Sequence, residues 1–381
     1  MPHLNKHDVR GATLRLALAG AGILAAAVNA LQPQRAAAAT VGGSPPGYFF
    51  AVASYTLGIR DEAAPGTVGE VAFFDARAFG YVGALPVRSF PFVVAAPAAG
   101  DFLIATAKSR GEAVVREYDP ARRSVVCTKS LAVSVGNPNP QIFCPFKVGP
   151  DGVLWLIDRT GLHGVRWPSL RRVCTYPGTL AEMLHKIGNP LLIPIRGAVL
   201  TVDLSPLVDP QASARAVPRM FALSERGRVR RISVPKKIRG IPTIVSVWGR
   251  TVSGFTATQR FVSFRVGRGW GLTKVVTASL PPRLSHHILA FHEISPSLGV
   301  ALASGGVRLA HKSEVYFLSV SNGRVLRRLR VPLQAETMLT VGRRIYLVGI
   351  GGAVTELSPD GRLMRTSTGP FLTVSAIGQG R

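Results

Sequence analysis

Two adjacent pairs, His286-His287 and, further along the same segment, His292-Glu293, bring together side chains used for metal ligation and proton transfer. On a strand, alternation sends His286 and His292 to one face and His287 and Glu293 to the other. A metal or acid-base centre here would therefore need partners from other segments. Asp158-Arg159 ends the apolar run GVLWLID (152–158) and offers a carboxylate and a guanidinium at the end of a buried strand. Lys108 follows a second such run, DFLIATA (101–107), and Asn139 lies in a polar stretch beyond the next hairpin. His286, His287, Asp158, Arg159, Asn139 and Lys108 are thus the candidate ligand contacts. The sequence contains no nucleophile elbow, phosphate-binding loop, H-E-x-x-H or calcium loop, and no catalytic residue, metal or cofactor is assigned. Cys127, Cys144 and Cys174 include no C-x-x-C pair and permit at most one disulfide.

A repeating unit must position these residues. VYFLSVSNGRVLRRLRVP (315–332) reads as an apolar strand, a polar turn at Ser321-Asn322-Gly323 and a second strand rich in Arg, stopped by Pro332. Related hairpins occur at 71–85, 115–131, 163–176, 219–235, 261–280 and 354–366, with turn centres 38 to 57 residues apart. Between them lie continuous apolar runs such as GAVLTVD (197–203) and RIYLVGI (344–350), the pattern of strands covered on both faces. This period, with about four strands per unit, predicts an all-β, seven-bladed β-propeller with four antiparallel strands per blade. FLTVSAIG (371–378) is left over while the first unit lacks an innermost strand. The C-terminal strand is therefore expected to complete the first blade and close the ring, which hides sheet edges.

The propeller is expected to form one domain over residues 40–381. Thr179 stands three residues ahead of Glu182 in GTLAEMLHKIG (178–188), which predicts a capping box and a short helix. SPLVDPQASARAV (205–217) reads as a loop insertion in the fourth blade. In such a ring, the loops leaving the outermost strands and those joining second to third strands share one face, where ligand sites gather. Lys108, Asn139, Asp158-Arg159, His286-His287, Lys312 and Glu314 are expected there.

The 315–332 unit resembles the blade repeat of quinoprotein-type secreted propellers, in which a strand passes through an Asp-x-x-x-Gly type of turn into a strand bearing Lys or Arg. VGPDGVLWLIDRTG (148–161) is similar to the Pro-Asp-Gly-x-Leu-Trp segment of streptogramin-lyase-like and gluconolactonase-like propellers. The likeness covers nearly the whole propeller region as architecture and singles out no one family. It implies a ligand site around the channel mouth, where the lyase-like relatives use His and Glu. The repeated Trp that locks each quinoprotein blade is missing, which argues against a bound quinone.

Lys and Arg number 46 against 20 Asp and Glu, a net charge of +26, of which +3 lies in residues 1–39. That segment has Lys6, Arg10 and Arg15 ahead of a run of small and apolar residues from Leu16 to Val28, then Ala-rich sequence. This is the layout of a cleaved signal peptide, too short to cross a bilayer comfortably as a helix; an uncleaved anchor and an organellar presequence are the alternatives. Much of the remaining charge falls on outer hairpin strands and adjoining loops: Arg226, Arg228, Arg230, Arg231, Lys236 and Lys237, then Arg324, Arg327, Arg328 and Arg330. A basic perimeter follows, which attracts anionic partners in a salt-dependent way.

The expectation is a secreted or periplasmic, monomeric, non-catalytic binding or scaffold module. Its partner would be an anionic polymer, a membrane surface or a protein. The alternatives are a lyase, lactonase or dehydrogenase working at the channel mouth, and an organellar or nuclear propeller that binds nucleic acid. Aromatic residues make up only 7% and no RNA-binding motif interleaves with the basic runs, so sequence-specific nucleic-acid reading is disfavoured.

Overall fold

A strand apolar on both faces has to be stacked between other sheets. The computed structural model describes residues 49–55, 69–87, 91–96, 100–109, 111–133, 146–187, 190–208, 216–280, 287–304, 313–349, 353–368 and 374–379. It meets that requirement with seven four-stranded antiparallel sheets arranged as a β-propeller. Blade 1 joins residues 49–87 to Val374–Gln379; blades 2 to 7 occupy residues 91–132, 146–175, 190–232, 242–279, 288–331 and 335–368. All seven hairpins anticipated from the sequence form the outer halves of blades. The targeting segment expected in residues 1–39 lies outside the described residues.

Burial follows position in the blade. The second strand of blade 4, Ala198–Asp203, is buried throughout, whereas the outermost strand of blade 2, Ser124–Ala132, is mostly exposed. The apolar core is divided among seven clusters, each spanning the seam between two neighbouring blades. Close packing requires glycine at two positions, one between paired strands of blade 5 and one between blades. A Cβ at Gly254 would sit 1.9 Å from the Ile244 carbonyl oxygen of the adjacent strand. At Gly323, where φ is +70°, it would lie 2.6 Å from Ala278 and 2.7 Å from Phe261 of the preceding blade.

Ring closure is as expected from the chain ends. Val374–Gln379 pairs antiparallel with Phe49–Tyr55, with Phe50 opposite Gln379 and Ser54 opposite Val374. Blade 7 adds side-chain locks to the turn of blade 1. Tyr346 Oη donates to the Ala76 carbonyl at 2.9 Å, Arg344 Nη1 to the same carbonyl at 2.7 Å, and Arg365 to the carbonyls of Ala78 and Arg77, both at 3.0 Å. Tyr346 also stacks on Phe50 at 4.5 Å between ring centroids.

The capping box forms as predicted. The Glu182 carboxylate accepts from the Thr179 amide at 2.6 Å, and Thr179 Oγ1 accepts from the Glu182 amide at 3.2 Å, starting the helix Leu180–Ile187. This helix lies in the connection from blade 3 to blade 4 and buries Met183 and Ile187. The loop insertion of blade 4 begins with a 3-10 turn, Ser205–Val208; residues 209–215 lie outside the described residues.

Candidate functional site

Between blades 2 and 3 a cleft of about 630 Å³ opens beside the loops that join second to third strands. Ser109, Glu112, Ser130, Asp158, Arg159 and Thr160 contribute its polar lining. Asp158 and Arg159 thus meet residues next to Lys108, and Lys108 Nζ pairs with Glu112 Oε1 at 2.9 Å. Asn139 and His286 lie outside the described residues.

Asp158 is held by its own turn. Its Oδ1 accepts from the Thr160 amide at 2.7 Å, the Thr160 hydroxyl at 2.6 Å and the Gly161 amide at 3.2 Å, and lies 2.9 Å from His163 Nε2. Burial raises the carboxyl pKa, but the hydrogen bonds from Thr160 and His163 outweigh it and hold Asp158 below the usual carboxylate range. His163 is buried, with Nδ1 3.1 Å from Thr175 Oγ1. Asp158 and His163 therefore lock a tight hairpin and leave Arg159 and Thr160 exposed at the cleft. Arg159 lies across Gly111, where a Cβ would stand 3.4 Å from its guanidinium. A carboxylate held ionised by its contacts at Oδ1 and by Arg172 3.6 Å from Oδ2, beside an exposed guanidinium, suits contact with an anionic group better than proton transfer.

Sequence reasoning missed His163. The available signal was geometric: Gly161 pairs with Asp158 across the turn, so the next residue on the same face of that strand, His163, is a diagonal neighbour of the carboxylate.

The His292-Glu293 pair separates as alternation requires. His292 Nε2 is 3.0 Å from the Met338 carbonyl in blade 7, while the Glu293 amide donates to Ser246 Oγ in blade 5 at 3.0 Å. The two side chains enter opposite seams. Burial pushes the His292 imidazole down to about 4, opposed in part by Met338. Burial pushes the Glu293 carboxyl up to about 8, opposed in part by Ser253, whose hydroxyl is engaged with Ser263 at 2.8 Å. His287 lies outside that strand, exposed, just ahead of Ile288–Ser295. Among the described residues no group of three His, Cys, Asp or Glu converges as a metal site would require. Cys127 and Cys174 are free thiols, Cys174 pushed up to about 11 by burial; Cys144 lies outside the described residues.

The expectation for Glu314 needs correction. It sits at the start of the third strand of blade 6, Ser313–Ser319, and is fully buried, because the register pairs it with Arg330 and diagonally with Arg328. Lys312 lies outside the described residues. All ten basic residues expected on the perimeter are exposed. Among the described residues, Arg328 and Arg330 are the members of this set held in ion pairs, both with Glu314. Lys237 Nζ donates to the Val275 carbonyl at 2.9 Å, which ties blade 4 to blade 5.

The chain is a seven-bladed β-propeller. No protein-family model and no curated relative matches it. Among solved structures it is similar to AztD from Citrobacter koseri, with TM-score 0.53 and 8% identity, over 88% of this chain and 98% of that one. It is also similar to a functionally unknown protein from Desulfotomaculum acetoxidans, with TM-score 0.54 and 10% identity, over 87% of this chain and 98% of the other. Identities this low establish the shared ring architecture, and function has to be argued from this chain's own surface.

Proposed function

We propose that this propeller is an exported, non-catalytic binding module whose cationic perimeter on blades 4 to 6 takes up an anionic polymer of the cell envelope. The carrying observation is the charge distribution. From Arg226 to His292 the chain has 13 Lys and Arg and no Asp or Glu, and Arg226, Arg228, Arg230, Arg231, Lys236 and Lys237 are all exposed. Such an array binds a polyanion by releasing its counterions, so affinity falls steeply with salt. Arg159 in the cleft supplies a further cationic contact. The non-catalytic reading is supported by the engagement of Asp158 and His163 with each other and by the separation of His292 from Glu293. Export rests on the composition of residues 1–39 and is tested by whether a fusion carrying them leaves the cell.

Binding to immobilised heparin tests the proposal. Retention is expected at about 50 mM salt and release by about 500 mM, with the variant Arg230→Glu/Arg231→Glu/Lys236→Glu retained far less. Retention that is indifferent to salt, or unchanged in that variant, would overturn it.

A further inference from the structure

The outermost strands of blades 1, 2, 3, 6 and 7 share an irregularity. Their pairing with the third strand skips one residue close to the connecting turn: Val173, half-buried, in blade 3, and, at four further places, Val82 in blade 1, Val126 in blade 2, Leu326 in blade 6 and Met364 in blade 7. A bulge of this kind turns side chains away from the regular pleat. At these four places it coincides with apolar side chains in water. Val126, Leu326, Met364 and, beside Val82, Tyr81 are each more than half exposed, as is Leu363.

Arginines surround these side chains. Arg324 and Arg327 flank Leu326, Arg362 precedes Leu363-Met364, Arg122 and Arg123 precede Val125-Val126, and Arg77 lies in the turn before Tyr81; all are exposed. The acids of the same turns are spent locally. Asp75 accepts from the Arg77 and Ala78 amides, Asp119 from those of Ala121 and Arg122, and Asp360 pairs with Arg362 at 3.1 Å.

Blades 6, 7, 1 and 2 are consecutive in the closed ring, and the turns from third to outermost strand all open on one face. The four apolar sites therefore form an arc on the rim of a single face, which a flat surface can touch together. We infer that this rim docks on an anionic phospholipid bilayer, with Leu326, Met364, Val126 and Tyr81 entering the interface and the neighbouring arginines meeting the head groups. Two competing occupants fit less well. A second copy of the chain would set arginine against arginine. A soluble polyanion would satisfy the arginines and leave the apolar side chains in water. The inference rests on the reading of the protein as a binder of anionic envelope components, and names a second component and the surface that takes it.

The test is co-sedimentation of the full chain with vesicles of phosphatidylcholine alone and of phosphatidylcholine containing phosphatidylglycerol. Binding to the anionic vesicles only is expected. The variant Leu326→Ser/Met364→Ser should weaken it by about tenfold while leaving heparin retention and the thermal midpoint unchanged. Tyr81→Ser, in another blade, should weaken it independently, which covers the case of a double variant that does not fold. Equal binding to both vesicle types, or full binding by these apolar variants, overturns the inference and leaves the polymer-binding proposal standing if heparin is still retained. Self-association of the protein that the double variant abolishes also overturns it and assigns the rim to a second copy. Loss of both vesicle and heparin binding in the unmodified protein overturns the two proposals together.

Discussion

Arg328 and Arg330 make the same nominal ion pair with Glu314, yet the structure gives them different weights. Glu314 is 0% exposed, whereas the side chains of Arg328 and Arg330 are 33% and 65% exposed. Arg328 grips the carboxylate in bidentate fashion, its Nε donating to Oε2 at 3.0 Å and its Nη2 to Oε1, while Arg330 Nε reaches Oε1 at 3.4 Å. Replacing Arg328 by Ala strands a buried carboxylate with a weaker cation and the Tyr316 hydroxyl, at a cost of about 3 kcal/mol. Replacing Arg330 by Ala removes a solvent-screened partner and costs less than about 1 kcal/mol. With a shift of about 2 °C per kcal/mol for a chain of this size, the midpoints should fall by about 6 °C and less than about 2 °C. Thermal or urea unfolding monitored by circular dichroism reads both. In a Glu314→Gln background there is no charge to strand, so the Arg328→Ala cost should shrink to about that of Arg330→Ala. Equal costs for the two arginines in the parent, or an Arg328→Ala cost that survives in the Gln background, would refute the argument.

Three further predictions concern stability. Glu293 titrates at about 8 in the fold against an ordinary 4.5, so its contribution is complete below about 4.5 and drains as pH rises toward 8. His292 behaves oppositely: at about 4 against 6.5, its contribution is present above 6.5 and lost as pH falls toward 4. Urea midpoints measured from pH 4 to 9 should therefore lose their decline on the alkaline side in Glu293→Gln; an unchanged profile would show that the buried carboxyl is not its source. At the ring closure, Tyr346→Phe forfeits the bond to Ala76 and should cost about 1 kcal/mol. Truncation before Val374 removes a whole innermost strand, and limited proteolysis should then cut blade 1 first; protection equal to that of the full chain would contradict closure by this strand.

The ring was readable from sequence because its causes are repeated. A run such as Ala198–Asp203 is apolar at nearly every position since both its faces meet neighbouring blades, and Gly323 marks a turn that only a residue without a side chain can press against Phe261. The ten basic side chains expected on the perimeter are exposed, as positions on outermost strands and adjoining loops allow. What could not be read is what depends on register across strands. Glu314 looks like a loop residue until its pairing with Arg330 is known, and His163 looks like a core residue until Gly161 is placed opposite Asp158.

The bulges carry this furthest. Nothing in VLRRLRV announces that Leu326 is skipped in the ladder, because the skip is a property of two strands and not of one. Yet that skip accompanies both features of the rim. The apolar side chain of Leu326 stands in water, and the exposed Arg324 and Arg327 border it on either side.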